Sequence, residues 1–169
     1  VRGANPADTS VYFDGVEIPM LYHFGGLTSV INSEFLEEIN FYPGGFGAEF
    51  GRATAGIVDV RSRDLNFDQF RGYAEVDLMD TGFFFGGPLK LGELPPVAFA
   101  VAGRRSYIDA LIPIALDVFV GPQGQAITAA PVYQDYQAKA QTQLGREHQL
   151  SVIAFGSVDD LKVSARGTG

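Results

Sequence analysis

Cysteine is absent from the chain, so neither a disulfide nor a thiolate metal site can form, and the redox compartment stays undetermined. Charge is sparse. Charged residues make up only 19% of the sequence, and the formal net charge of −8 has the wrong sign for a general nucleic-acid binder, which needs a basic stripe. No apolar run is long enough for a membrane helix: residues 110–120 contain Pro113 and Asp117 and fall far short of the ~20 residues such a helix requires. That shortage does not exclude a membrane β-barrel, whose strands carry a much weaker signal. The opening Val1-Arg2-Gly3 has no Met, no basic region and no apolar signal segment, and no evident final element closes the chain at Gly169. A fragment or a mature secreted protein is expected from such ends.

Against these shortages stand 21 glycines and an aromatic content of 12%, led by Phe and Tyr, a mixture that favours strands and tight turns over helices. A chain of 169 residues can bury about 70% of its unfolded surface as one domain.

Residues 1–64 read as a compact α+β region. Val11-Tyr12-Phe13 is stopped by Asp14-Gly15, a strong turn signal, and followed by Val16-Glu17-Ile18, which predicts a small hairpin. Asn32 or Ser33 is expected to cap a short helix through Glu38, with Glu34 suited to its positive N-terminal end. Strands are expected over 39–42 and 57–60, with Gly44, Gly51 and Gly56 in the turns around them.

From residue 65 onward the pattern is that of long antiparallel strands, expected over 72–79, 83–89, 97–107, 133–143 and 148–158. The fourth is the clearest: Tyr133, Asp135, Gln137, Lys139, Gln141 and Gln143 alternate with Tyr136, Ala138, Ala140, Thr142 and Leu144. Several of these strands reach the ~9–11 residues of a tilted bilayer-spanning strand. The tight turn at 145–147 contrasts with a long, irregular connection at 108–131, and short turns at one rim with long loops at the other is a barrel pattern. A soluble antiparallel sandwich alternates in the same way, so the pattern by itself leaves both open.

Several constellations fail as catalytic or cofactor sites. Gly45-Phe46-Gly47 with Gly51 lacks dinucleotide-fingerprint spacing, and no Gly-Lys-Ser/Thr follows for a phosphate loop. His23 and His148 are too few for a His-rich zinc site. Asp159-Asp160 lacks the spacing of a calcium loop, and Glu37-Glu38 reads as a solvated face more than an acid/base pair. Ser106 and Ser157 have no nucleophile motif around them. No enzyme is expected.

Three motifs carry a family resemblance. Val1-Arg2-Gly3 followed by Val11 to Val16 resembles the "RG … DG-V" pair of TonB-dependent receptor plugs. The stretch from Glu38 to Gly44 resembles their "I-E-x-V-x-x-G" strand, and Phe50 to Val60 resembles their "YG-x-x-A-x-G-G-[VI]-[IV]-x-[IV]" close. Each motif is weak alone, and the order and spacing make the match specific. Pro43, Phe50 and Ala55 depart from the usual residues. Further on, Gly87-Pro88-Leu89 resembles the "GPL" turn of early barrel strands, and Arg104 to Leu111 resembles an "ARRSYID-x-L" stretch of some branches.

The resemblance implies an α+β plug segment (residues 1–64) followed by antiparallel transmembrane barrel strands (65–169), about five of roughly 22 in a plugged barrel. It implies a bacterial outer-membrane receptor that imports an extracellular nutrient (a metal chelate, vitamin, glycan or peptide) using force transmitted by TonB, with outer-membrane lipid around it, no nucleic-acid partner and no cofactor. The N-terminal half of the plug and the TonB box are expected to lie outside this sequence. Within it, the resemblance points to Tyr22 and His23 for ligand contact at the plug apex, while Leu21, Phe24 and Leu27 are expected to pack against the barrel wall. Arg2, Glu38 and Arg52 are candidates for a polar lock that seats the plug. Gly3, Asp14, Gly15, Gly44, Gly51 and Gly56 are the signature turns. The competing expectation is a soluble β-rich binding or interaction module, which needs an apolar strand face buried under a second layer.

Overall fold

The computed structural model describes residues 8–24, 26–51, 53–90, 92, 95–119 and 126–166. The chain divides into two compact units, Val1–Asp64 and Leu65–Gly169.

The first unit is built on a four-stranded sheet of β1 (Thr9–Phe13), β2 (Val16–Ile18), β5 (Leu36–Tyr42) and β6 (Gly56–Ser62), in the order β2-β1-β6-β5. Asp14-Gly15 closes the β1–β2 hairpin as the sequence predicts, with φ of 48° at Asp14 and 80° at Gly15. That left-handed pair is what the Asp-Gly dipeptide supplies. Strand β6 lies centrally, parallel to β1 and antiparallel to β5. Its Ile57 and Val60 are fully buried with Phe13 and Phe35, and burying each such side chain contributes about 1.5–3 kcal/mol. A second, two-stranded hairpin pairs β3 (Tyr22–His23) with β4 (Thr28–Ser29).

The helix expected through Glu38 does not form. Asn32 does cap, its Oδ1 accepting the Glu34 N–H at 2.9 Å, but only a single 3-10 turn, Ser33–Phe35, follows. Phe35 is fully buried, and its carbonyl accepts the Arg63 N–H at 2.6 Å, which delivers the chain into register with β6 from Leu36 on. Ladder bonds along β5 satisfy more backbone groups than one further helical turn would.

The second unit is an antiparallel meander of five strands, β7 (Arg71–Val76), β8 (Asp80–Leu89), β9 (Val97–Ser106), β10 (Ala126–Leu144) and β11 (His148–Arg166), in the order β11-β10-β9-β8-β7. All five expected strands are present, with shifted ends. The first stops at Val76, because Asp77 turns the chain: its Oδ1 accepts the N–H of Met79 at 2.7 Å and of Asp80 at 2.9 Å. The last two each run 19 residues, about 60 Å at 3.3 Å per residue and well beyond the predicted ends.

The connection expected to be irregular contains a helix instead, α1 (Ile108–Phe119). Pro113 sits inside it, where it removes one helical hydrogen bond and reads from sequence as a breaker. Pro131, likewise, lies within β10 at a place where the β9 ladder has already ended, so only β11 pairs with it and the missing N–H is tolerated. The rims also differ from expectation. The three-residue turn 77–79 and the long connection 107–125 share one rim, so short and long links do not segregate.

The turn at 77–79 carries a pH prediction. The N–H of Asp80, then that of Met79, hold the Asp77 carboxyl below its usual value of 3.8. A depressed carboxylate contributes stability above its unfolded pKa and loses it as pH falls through the folded value. Amide exchange at Met79 and Asp80, corrected for intrinsic rates, is therefore expected to accelerate as pH drops below about 3.8. Asp77→Asn should make both amides insensitive over that range.

Candidate functional site

The β3–β4 hairpin separates the two apex candidates. Tyr22 is 46% exposed, while its neighbour His23 is fully buried. Adjacent strand residues face opposite sides, so one of the pair goes inside, and the His23 carbonyl further ties the loop by accepting the N–H groups of Gly26 (3.2 Å) and Leu27 (2.9 Å). In this arrangement His23 belongs to the interior and only Tyr22 presents a surface. Leu21 is buried, whereas Phe24 and Leu27 are 39% and 41% exposed and so leave a surface for a barrel wall to cover. Phe24 adopts φ 47°, which turns it out of the hairpin. Met20 before the hairpin, Tyr22 at its base, and Phe24 and Leu27 in its turn are all exposed apolar or aromatic residues.

Asp14 does more than turn the chain. Its Oδ1 accepts the Ser62 N–H at 2.8 Å and its Oδ2 the Ser62 hydroxyl at 2.5 Å, clamping the end of β6 to the β1–β2 turn across 48 residues of sequence. Asp14→Ala is expected to lower stability by about 1–2 kcal/mol, because the carboxylate is exposed and part of its hydrogen bonding is recovered from water. Urea unfolding should show a lower midpoint with an unchanged slope.

Glu38 meets Arg61, a residue the sequence reading did not single out, at 3.2 Å, and Arg61 also reaches Asp59 at 3.3 Å. Register explains the contact, since Glu38 and Arg61 are directly paired on β5 and β6. Both side chains are about half exposed, so the pair itself contributes roughly 0–1 kcal/mol. Arg2, Gly3 and Arg52 lie outside the described residues. Of the remaining signature glycines, Gly44 has a positive φ, and Gly56 opens β6 as a buried residue opposite Thr9. Gly51 has neither a positive φ nor any atom where its Cβ would be; its carbonyl accepts the Tyr12 hydroxyl at 3.2 Å.

In the second unit the strand faces are inverted relative to a water-soluble sheet. On β10 the polar set is the buried one: Tyr133, Asp135, Gln137 and Lys139 are all at most 5% exposed. Its other face carries Tyr136 at 60% exposure, and the same face of the neighbouring strands shows Phe83, Phe85, Leu150 and Val152 at 44–61%. An antiparallel sheet in water buries its apolar face. A barrel wall does the reverse, with polar groups toward the lumen and apolar groups toward lipid.

One rim of the polar face holds a linked cluster. Arg104 Nε and a terminal nitrogen donate to Asp135 Oδ2 at 3.0 and 2.8 Å, and the guanidinium lies 5.7 Å from the centre of the Tyr133 ring. The Tyr133 hydroxyl donates to Asp80 Oδ2 at 2.5 Å, and its backbone N–H donates to Ser106 Oγ at 3.0 Å. Tyr107 donates its hydroxyl to the Asp77 carbonyl, and Asp109 accepts from Lys162 at 2.6 Å, which holds its carboxyl below the ordinary range. The Arg104-to-Asp109 segment thus ties β8, β9, β10, β11 and the 77–79 turn together. The resemblance marked the segment but not its faces; period-2 alternation from Ser106 back to Arg104 was the available signal. Among the described residues no group of three or more His, Asp or Glu could hold a metal ion.

Residues 1–58 match the family model of the TonB-dependent receptor plug domain. No curated relative matches the sequence. Among solved structures, the chain is similar to a mutant ferric enterobactin receptor from Pseudomonas aeruginosa, with 17% identity, a TM-score of 0.58 and 95% of this chain aligned. The chain spans 26% of that receptor's length.

Proposed function

Because residues 1–58 match the TonB-dependent receptor plug domain, we propose that the chain is part of a TonB-dependent outer-membrane receptor that binds an extracellular nutrient and imports it into the periplasm. In this reading residues 1–64 are the C-terminal part of the plug and 65–169 the first strands of the barrel. The observation that carries it beyond the plug match is the inverted burial of β10, with Tyr133, Asp135, Gln137 and Lys139 inside and the Tyr136 face outside. Such a face needs lipid, and a water-soluble module would leave it as an open apolar patch.

The ligand class we favour is a metal chelate. The related fold is that of a ferric enterobactin receptor, and the exposed Met20, Tyr22, Phe24 and Leu27 in and beside this hairpin suit the aromatic or apolar part of such a chelate. Tyr22 is the contact residue in this proposal, with His23 supporting the hairpin from inside. Glu38, held by an exposed pair with Arg61 and by the Asn40 amide at 2.9 Å, stays with Arg2 and Arg52 among the charges proposed to seat the plug, since such exposed contacts yield to a pull.

Uptake of radioactive iron presented as a ferric siderophore tests the reading. Disrupting either this gene or TonB should abolish the uptake. Uptake that survives loss of the gene contradicts the ligand class, and uptake that survives loss of TonB contradicts the energy source.

A further inference from the structure

Within the Arg104-to-Asp109 segment Arg105 stands apart. It projects from the apolar face, is exposed, and meets no carboxylate among the described residues. Strand register puts Gln134 directly across from it on β10 and Thr81 on β8. Thr81 donates its hydroxyl to the Glu75 carbonyl at 2.9 Å, so its oxygen is fixed in place. Val158 and Val76 flank these three residues in the same row, and below it the face is apolar apart from Thr142: Phe83, Gly103, Tyr136 and Gly156 make the next row, followed by rows through Val101, Phe99 and Val97. From Val97 to Arg105 is about 26 Å along the strand at 3.3 Å per residue, which at a tilt of about 40° covers roughly 20 Å of the ~25 Å height of a lipid-facing band. Arg105 therefore sits near the edge of the band, where a long side chain reaches the headgroups.

A groove of about 550 Å³ opens there, lined by Arg105, Gln134, Thr81, Phe83 and Tyr136 among others, with the mutually paired Arg104 and Asp135 also bordering it. Gly103 lets the Phe83 ring lie down against the sheet as one wall of the groove, because a Cβ there would come within 2.8 Å of that ring.

We propose that this groove binds an anionic phospholipid, its phosphate on Arg105 and Gln134 and an acyl chain along Phe83, Gly103 and Tyr136. A guanidinium presents paired N–H donors in the geometry of phosphate oxygens, and the Gln134 amide adds a neutral donor beside it. Other charges on this face leave the site cationic. Lys162 is engaged by Asp109, and Asp160 lies on β11, two residues beyond the position that faces Gln134. The inference rests on the membrane reading of this sheet.

The test is native mass spectrometry of the protein released in mild detergent, titrated with dioleoyl phosphatidylglycerol or dioleoyl phosphatidylcholine. Wild-type protein should prefer the anionic lipid, Arg105→Gln should weaken that binding about fivefold, and Arg105→Lys should retain most of it. Equal binding of the two lipids by the wild type, or undiminished phosphatidylglycerol binding by Arg105→Gln, overturns the lipid site. Displacement of the lipid by millimolar inorganic phosphate also overturns it, because the site then recognises a free anion. A protein that stays monodisperse without detergent overturns the membrane reading itself, whereas one that needs detergent and fails the Arg105 comparison overturns the lipid site alone.

Discussion

Replacing Val152 with Arg is expected to destabilise the protein by about 2–4 kcal/mol in a lipid bilayer, although Val152 is 61% exposed. In water a substitution at so exposed a position typically changes stability by no more than about 0.5 kcal/mol. The difference comes from the solvent on that face. Val152 stands opposite Ala140, which stands opposite Phe99, and this row lies within the apolar rows below Arg105. A guanidinium there must either lose its water or thin the lipid around it. Gln143→Arg, on the polar face of β10, is the control and is expected to be nearly neutral. Urea unfolding from lipid vesicles measures both, and equal small effects for the two variants would contradict a lipid-facing sheet.

Arg104→Ala is expected to cost about 3 kcal/mol or more, for the opposite reason. Its partner Asp135 has a side chain only 3% exposed, and removing the guanidinium leaves that carboxylate buried without its two donors from Arg104. The aromatic face of Tyr133 loses its cation as well. The double variant Arg104→Ala with Asp135→Ala should be less destabilised than the sum of the single changes, because no charge is then stranded. A single-variant loss below about 1 kcal/mol, or strict additivity, would show that the pair is not a buried one.

These effects turn on which strand face is buried, and that is where the sequence ran out. The alternation of Tyr133, Asp135, Gln137 and Lys139 with Tyr136, Ala138 and Ala140 predicts β10 and divides its residues correctly between two faces. It does not say which face meets solvent, and so could not separate a soluble sandwich from a barrel wall. The Asp14-Gly15 turn was legible because its backbone demand is local. The Asp14–Ser62 clamp was not, since 48 residues separate its ends. Local signals misled at two other places. Asn32 and Glu34 signalled a helix start, but pairing with β6 took the chain from Leu36 onward. Pro113 signalled a break, and α1 runs through it. His23 looked available because aromatic and glycine-rich loops suit ligands, whereas a two-residue strand turns its side chain inside. Arg104 and Arg105 show the limit of a motif most clearly: adjacent, alike in charge, and assigned to opposite faces by a period of two.

The most direct test of the central claim uses the absence of native cysteine. Single cysteines at 137, 138, 139 and 140 on β10 can each carry a nitroxide in the protein reconstituted into phospholipid vesicles. Collision rates with oxygen and with a water-soluble nickel chelate should then alternate. Oxygen should dominate at 138 and 140, where the label meets lipid, and collisions with both agents should be low at 137 and 139. Nickel-dominated collisions at 138 and 140 would place that face in water and contradict the account.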